Sequence, residues 1–199
     1  MKKITLFILL SSMFIFASPL EYLLGYRNSK YALVGIENDK IGFALENSTF
    51  SQDLEFQYAR AIAFYKFNLT QTISGKYALY SGLRYNKDFF DIGCFGEINW
   101  NIFKKYLQVS GNIQPYYDSD LGHKFAYSTY LQTIPLSEVG LYAGVRNTPE
   151  YRDTDKRFFG GIVIETSNIQ VKPEISIPKN LEAEFARFSV NFIYKNRIW

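Results

Sequence analysis

Cysteine, histidine and long apolar runs are the scarce features of this 199-residue chain. Cys94 is its one cysteine and His123 its one histidine, which excludes an internal disulfide and any metal site built from several histidines. After Phe16, no apolar run approaches the roughly 20 residues that a transmembrane helix needs. A helical membrane protein is therefore excluded, and the sequence predicts no metal and no cofactor.

An excess of charge of one sign is also missing. The chain has 22 basic and 19 acidic residues, and loss of Lys2 and Lys3 with an N-terminal signal would leave 20 basic ones. This balance lacks the basic surface that binds nucleic acid, so we expect no nucleic-acid partner.

The N-terminus has the order of a secretory signal. A basic start, Met1 to Lys3, precedes an apolar run from Ile4 to Phe16, and the small residue Ala17 follows. The alternative, an uncleaved membrane anchor, is disfavoured because the run is too short to cross a bilayer. We predict a signal peptide over 1–17 and a single domain over 18–199.

What the mature chain has in abundance is aromatic residues and period-2 alternation. Aromatics make up 18% of the sequence, a composition that favours strands. The clearest alternation runs from Asp91 to Ile102, and similar segments follow to Tyr194. Two earlier segments are less regular: Tyr31 to Glu37 is apolar on both faces, and Glu55 to Leu69 is unusually long. The pattern predicts an all-β fold, a single antiparallel transmembrane β-barrel of about twelve strands, with ten as the next choice.

The predicted connections alternate in length. One set is mostly short, at Asn38–Lys40, Phe103–Lys105, Pro135–Leu136 and Thr166–Ser167, although Thr70 to Gly75 is predicted to be a long exception. The other set includes Tyr117 to Gly122 and the longest loop, Asn147 to Lys156. Short periplasmic turns and longer external loops are typical of outer-membrane barrels. Pro115 and Pro173, which cannot donate ladder hydrogen bonds, are predicted near strand ends.

Alternation alone does not tell whether the apolar face meets lipid or a protein core. Segments of 9–12 residues and a polar face with charges of both signs favour lipid outside and a polar lumen inside. The alternative is a soluble periplasmic lipocalin-like barrel with its apolar face inward. If the barrel is in a membrane, the alternation of side chains along each strand places ten charged residues on the face that lines the lumen. These candidates are Glu46, Arg60, Arg84, Glu97, Lys124, Glu138, Arg146, Lys172, Glu174 and Arg187.

These features together resemble the small outer-membrane β-barrel proteins of bacteria. The resemblance implies outer-membrane lipid as surroundings and the barrel-insertion machinery as a partner. Such proteins commonly end in an aromatic residue, and Trp199 is the candidate insertion signal here. Trp199 is out of phase with Phe192 and Tyr194, and charged Lys195 and Arg197 lie where the class usually has apolar residues.

The sequence lacks the catalytic residue patterns of two known classes of outer-membrane enzyme. Outer-membrane phospholipases have a serine two residues after the histidine, where this chain has Phe125, and Asp-His proteases have an aspartate two residues before it, where this chain has Leu121. We therefore predict no enzyme and take His123 as a loop histidine at the rim.

The function predicted from the sequence is a narrow, weakly selective channel for small solutes or ions, or a membrane-structural protein. Charges of both signs across a narrow lumen should pair, which limits conductance and selectivity. The alternative is a surface-binding or adhesion module that uses the charged loop 147–156.

Overall fold

The computed structural model describes residues 21–27, 31–49, 56–84, 88–103, 106–133, 138–147, 156–180 and 186–197. The predicted signal over 1–17, Trp199, the turn at Pro135–Leu136 and most of the loop 147–156 lie outside these ranges. The described chain forms twelve strands: β1 Glu21–Arg27, β2 Tyr31–Glu37, β3 Ile41–Thr49, β4 Phe56–Asn68, β5 Ile73–Arg84, β6 Phe90–Asn101, β7 Leu107–Asp118, β8 Gly122–Thr133, β9 Val139–Asn147, β10 Arg157–Glu165, β11 Ile169–Pro178 and β12 Arg187–Arg197. In these ranges there is no helix of the length and apolarity that crossing a membrane requires.

All twelve strands belong to one closed antiparallel barrel. Each strand pairs with its neighbours in sequence, and β1 pairs with β12 from Glu21 opposite Arg197 to Arg27 opposite Asn191. A closed ring leaves no strand edge with unpaired backbone groups, the condition for a sheet in hydrocarbon. The predicted fold and the preferred strand count are confirmed.

The apolar face of this barrel points outward. Leu45, Ile92 and Leu141 are 62%, 55% and 60% exposed on the outer face, whereas Ser110 and Glu174 on the inner face are 1% and 5% exposed. A lipocalin-like barrel requires the opposite arrangement, because its apolar residues form the internal core. The structure contradicts the soluble alternative.

Aromatic side chains form a girdle near each end of the apolar band. Tyr65, Tyr77, Trp100 and Tyr106 are exposed toward the end with the turns at 38–40 and 69–72, and Phe90, Phe125, Phe158 and Phe188 are exposed toward the other end. Two aromatic girdles around an apolar band are characteristic of transmembrane barrels.

Side-chain oxygens build the tight turns. Asn38 Oδ1 accepts the backbone N–H groups of Lys40 and Ile41 at 2.9 and 2.8 Å. Thr70 Oγ1 accepts the N–H of Ile73 at 3.0 Å. Asp118 Oδ1 accepts the N–H of Leu121 at 2.9 Å. Where the chain reverses direction, these side-chain oxygens accept backbone N–H groups that have no partner in the strand ladder.

Two predicted connection lengths are wrong. The long exception at Thr70 to Gly75 is a turn over 69–72, because β5 begins at Ile73 and the Phe67 ring packs over Gly75. The loop predicted from Tyr117 to Gly122 is a turn of 119–121, closed by Gly122 at a φ of 73°, a conformation that glycine adopts without steric cost.

The predicted positions of the two prolines are also wrong. Pro173 lies in the middle of β11, and Pro115 lies well inside β7. At both places the ladder on one side is interrupted: β10 and β11 pair at Gly161–Glu174 and next at Ile164–Val171. On β7, pairing with β6 stops between Tyr116 and Ile113. A gap in the ladder, rather than a strand end, accommodates the missing N–H.

Candidate functional site

The barrel interior is the candidate site, and glycines let its aromatic rings lie along the wall. Tyr80 is directly opposite Gly93, and Tyr142 is directly opposite Gly161. A Cβ atom added to Gly93 would lie 2.5 Å from Tyr80 Oη, and one added to Gly161 would lie 2.9 Å from Tyr142 Oη. Each ring therefore occupies the space of a missing side chain and does not extend straight across the lumen.

A buried network of charged and phenolic groups links β3, β4 and β6. Tyr58 Oη donates to the Asp91 carboxylate, with both oxygens at 2.7 Å, and Arg60 Nη2 lies 2.8 Å from Asp91 Oδ2. Arg60 also lies 3.9 Å from Glu46 and sits 4.3 Å from the centre of the Tyr80 ring. At this level of the lumen, one arginine on β4 thus lies between a carboxylate of β3 and a carboxylate of β6.

A second network joins the two ends of the chain. Glu37 at the end of β2 accepts Lys195 Nζ of β12 at 2.7 Å and lies 3.0 Å from Lys66 Nζ of β4. The Glu37 side chain is 5% exposed, whereas Lys195 is 44% exposed. One buried carboxylate therefore joins strands on both sides of the β1–β12 closure.

A third group lies on β9 to β11. Arg146 Nη2 is 2.6 Å from Glu174 Oε1, and the hydroxyl of Tyr142 is 3.4 Å from Glu174 Oε2. Beside them, Arg157 donates to the Ser176 hydroxyl at 3.3 Å and to its carbonyl at 3.1 Å. This wall bears more cations than anions, but its arginines are held by fixed partners.

An aromatic cluster partly fills the lumen on the β8 to β10 side. The rings of Tyr130, Tyr142 and Phe159 lie with centroids 6.1 to 6.3 Å apart, and buried Val163 packs with them. Edge-on and tilted rings at this spacing pack favourably. The open space is consequently displaced toward the opposite wall.

That space is a cavity of about 320 Å³, which we name the chamber. Its lining comes from β1 to β7 and β12: Gly25, Leu33, Glu37, Ala44, Arg60, Ile62, Phe64, Lys76, Ala78, Tyr80, Phe95, Gln114, Ile193 and Lys195. Members of the first two networks line the chamber: Arg60 belongs to one, and both Glu37 and Lys195 belong to the other.

The structure brings together only some of the residues predicted to line the lumen. Arg60 with Glu46 and Arg146 with Glu174 are close pairs. The other candidates have these positions and contacts: Lys172 Nζ is 5.9 Å from the Tyr142 ring centre, Arg84 packs on Phe89, Glu97 accepts a hydrogen bond from Asn99, Lys124 is opposite Tyr116, Arg187 is opposite Ser176, and Glu138 is exposed just before β9. Their role in conduction stays a prediction.

Sequence reasoning missed the central members of two networks. Tyr58, Asp91 and Glu37 were not candidates, although parity places all three on the inner face. The same alternation explains why a charged residue occupies position 195, because the Lys195 side chain points into the lumen and donates to Glu37. The signal available in the sequence was the alternation itself, but alternation does not tell which inward charges meet.

The chain's two scarce reactive residues face away from these networks. His123 is the second residue of β8, not a loop residue, and its exposed ring lies 5.2 Å from the Tyr117 ring. Cys94 is an unpaired thiol on the outer face. Within the described ranges, no three His, Cys, Asp or Glu side chains are grouped in a way that could hold a metal ion.

Solved structures with the same architecture are outer-membrane channels. The KdgM porin, solved also in complex with disordered oligogalacturonate, has a TM-score of 0.63 at 11% identity, over 88% of this chain and 98% of its own. The NanC porin has a TM-score of 0.54 at 10% identity, over 90% and 100%. The COG4313 outer membrane channel from Pseudomonas putida F1 has a TM-score of 0.53 at 12% identity, over 91% and 96%. No protein-family model and no curated protein matches the chain. The fold of this chain is that of bacterial outer-membrane porins.

Proposed function

We propose that the protein is a narrow, weakly ion-selective channel of a bacterial outer membrane. The observation that supports this most is the charge pairing on the inner wall of a closed barrel whose outer face is apolar. Paired charges present little net field to a passing ion, and the Tyr130–Tyr142–Phe159 cluster leaves a reduced cross-section. The porin-like fold agrees with this function.

Recording from the purified mature protein in planar bilayers tests the proposal. We expect small single-channel steps in KCl and a reversal potential that departs little from zero in a salt gradient, because the paired charges on the inner wall largely cancel. A large or strongly selective conductance would overturn the paired-charge lumen. Folded, membrane-inserted protein that gives no conductance would overturn the channel itself.

The other parts of the proposal concern delivery and surface contacts. Recognition by insertion machinery through Trp199 predicts that deleting the last residue slows barrel assembly in cells.

The adhesion alternative depends on loop 147–156, of which the structure describes Asn147 and Lys156. Deletion of residues 149–155 tests it, and unchanged cell-surface binding would remove it.

A further inference from the structure

The chamber has more apolar lining than a water-filled pore requires. Leu33, Ile62 and Ile193 point inward, and two phenylalanine rings, Phe64 and Phe95, line the same space. An inner wall made only for ions and water would be polar, as the interiors of outer-membrane barrels usually are. These five apolar side chains therefore provide a surface that an apolar group can contact.

One cation in the chamber has no anionic partner. Arg60 is matched by Asp91 and Glu46, and Lys195 is matched by Glu37. Lys76 has no ion pair with any residue in the ranges that the structure describes. Its Nζ lies 5.2 Å from the ring centre of Phe95 and 5.7 Å from that of Phe64, and its ladder partner on β4 is another cation, Lys66. Glu97 is opposite Lys76 in the ladder, but its carboxylate accepts Asn99 instead. A positive group among apolar side chains favours an anion that supplies the missing charge.

The volume limits the size of such an anion. Binding pockets for small molecules are mostly apolar, contain a few placed polar groups and begin at roughly 300 Å³. The chamber, at about 320 Å³, fits this description at its lower end. Its polar groups besides the charged ones are the Tyr80 hydroxyl and Gln114, which already bond to each other at 2.6 Å.

We propose that the chamber binds small organic anions that combine one carboxylate with an apolar body such as a single aromatic ring, with Lys76 as the partner of the carboxylate. The inference rests on the proposed channel and adds a preferred class of solute to it. An organic cation is disfavoured because Glu37, the one carboxylate in the lining, is already held by two lysines. A neutral solute would leave Lys76 unmatched.

Titration of benzoate against the open channel in planar bilayers, at constant KCl, tests the proposal. We expect benzoate to reduce the current in a saturable way. Acetate has the carboxylate without the ring, and benzylammonium has the ring with the opposite charge. Both should leave the current unchanged at the same concentration, and a block by either that equals the benzoate block would overturn the proposed class of solute.

Substitution of Lys76 locates the site. Lys76→Gln should raise the half-blocking benzoate concentration about tenfold, the loss expected for one hydrogen bond to a charged group. Lys76→Arg should keep the block, because it keeps the charge. Lys172→Gln is the matched control, since Lys172 is also an inward lysine near an aromatic ring but does not line the chamber. An equal effect of the substitutions at 76 and 172 would overturn the assignment to the chamber.

Calorimetric titration of benzoate into the detergent-solubilised barrel separates this inference from the proposed function. Binding that Lys76→Gln weakens about tenfold, from a barrel that does not conduct, would support the chamber and overturn the channel. Conductance without saturable benzoate block or calorimetric binding would overturn the chamber and leave the channel intact.

Discussion

At the scale of single residues, glycines opposite rings set the width of the lumen. Gly93→Val would place a branched side chain where Tyr80 Oη now lies, 2.5 Å from the added Cβ. The ring would have to turn away from the wall and into the open space. We expect a smaller single-channel conductance for this variant, measured in the same bilayers as the wild-type protein.

Gly111→Val is the control for that experiment. Gly111 faces outward, and no atom lies within 4 Å of the position of an added Cβ. Valine fits a strand that faces lipid, so conductance and assembly should not change. An equal loss of conductance in both variants would show that a general effect on the sheet, and not the position of Tyr80, determines the current.

The Glu37 carboxylate joins β2, β4 and β12, so its loss should destabilise the closed ring. Glu37→Gln leaves two lysine ammonium groups without their anion, at the point where β12 and β1 close the ring. Because Lys195 is partly exposed to water, we expect a loss of about 1–2 kcal/mol in the free energy of unfolding rather than the larger cost of a fully buried pair.

Urea unfolding in lipid vesicles measures this difference. Glu165→Gln is a suitable comparison, since Glu165 is an exposed acid on β10 with no ion pair among the residues that the structure describes. It should lose little stability. A Glu37→Gln protein as stable as the Glu165→Gln protein would contradict the role of the network in closure.

At the scale of strands, period-2 alternation predicted most of the elements. The segment predicted over 91–102 is β6 over Phe90–Asn101, and the long segment over 55–69 is one strand, β4. The connections and prolines were harder to predict because they depend on the neighbouring strand. The early start of β5 is associated with the Phe67 ring over Gly75, and both prolines coincide with gaps in the ladder.

Charge placed at the middle of an outward strand face should be costly, and charge at its end should not. Leu79 is 54% exposed near the middle of β5, whereas Ile73 begins that strand. We expect Leu79→Arg to cost roughly 2–4 kcal/mol of folding free energy in a bilayer and Ile73→Arg about 0–1 kcal/mol. Unfolding of both variants from vesicles measures the two costs. Equal costs would contradict the depth that the apolar band implies.

At the scale of the whole molecule, ring closure explains which part of the site the sequence could not predict. Parity gives the direction of each side chain, so the inward positions of Arg60, Arg146 and Glu174 followed from alternation. The partners did not follow, because Glu37 and Lys195 are 158 positions apart and meet only when β1 pairs with β12. The volume of the chamber also depends on the closed ring, and its position depends on which wall of the barrel the aromatic cluster occupies.

The closed apolar-faced ring also predicts how the protein behaves during extraction. The mature protein should stay in the membrane pellet after washing with urea or carbonate, because these washes remove proteins held by polar contacts and this barrel has an apolar outer face. Its mobility on a gel should shift on heating, because the unheated barrel keeps its closed ladder. Release into the wash together with unchanged mobility would contradict a membrane-spanning barrel.

The most direct test of the account compares two adjacent residues on opposite faces of β7. Ile113 is 53% exposed on the outer face, whereas Gln114 lines the chamber. Single cysteines at these positions, in a Cys94→Ser background, are exposed in intact membranes to a small charged methanethiosulfonate and to a lipid-soluble maleimide. The account predicts that the charged reagent modifies the cysteine at 114 and not the one at 113, and that the lipid-soluble reagent modifies the one at 113. Rapid modification at 113 by the charged reagent, with position 114 reacting only after unfolding, would contradict it.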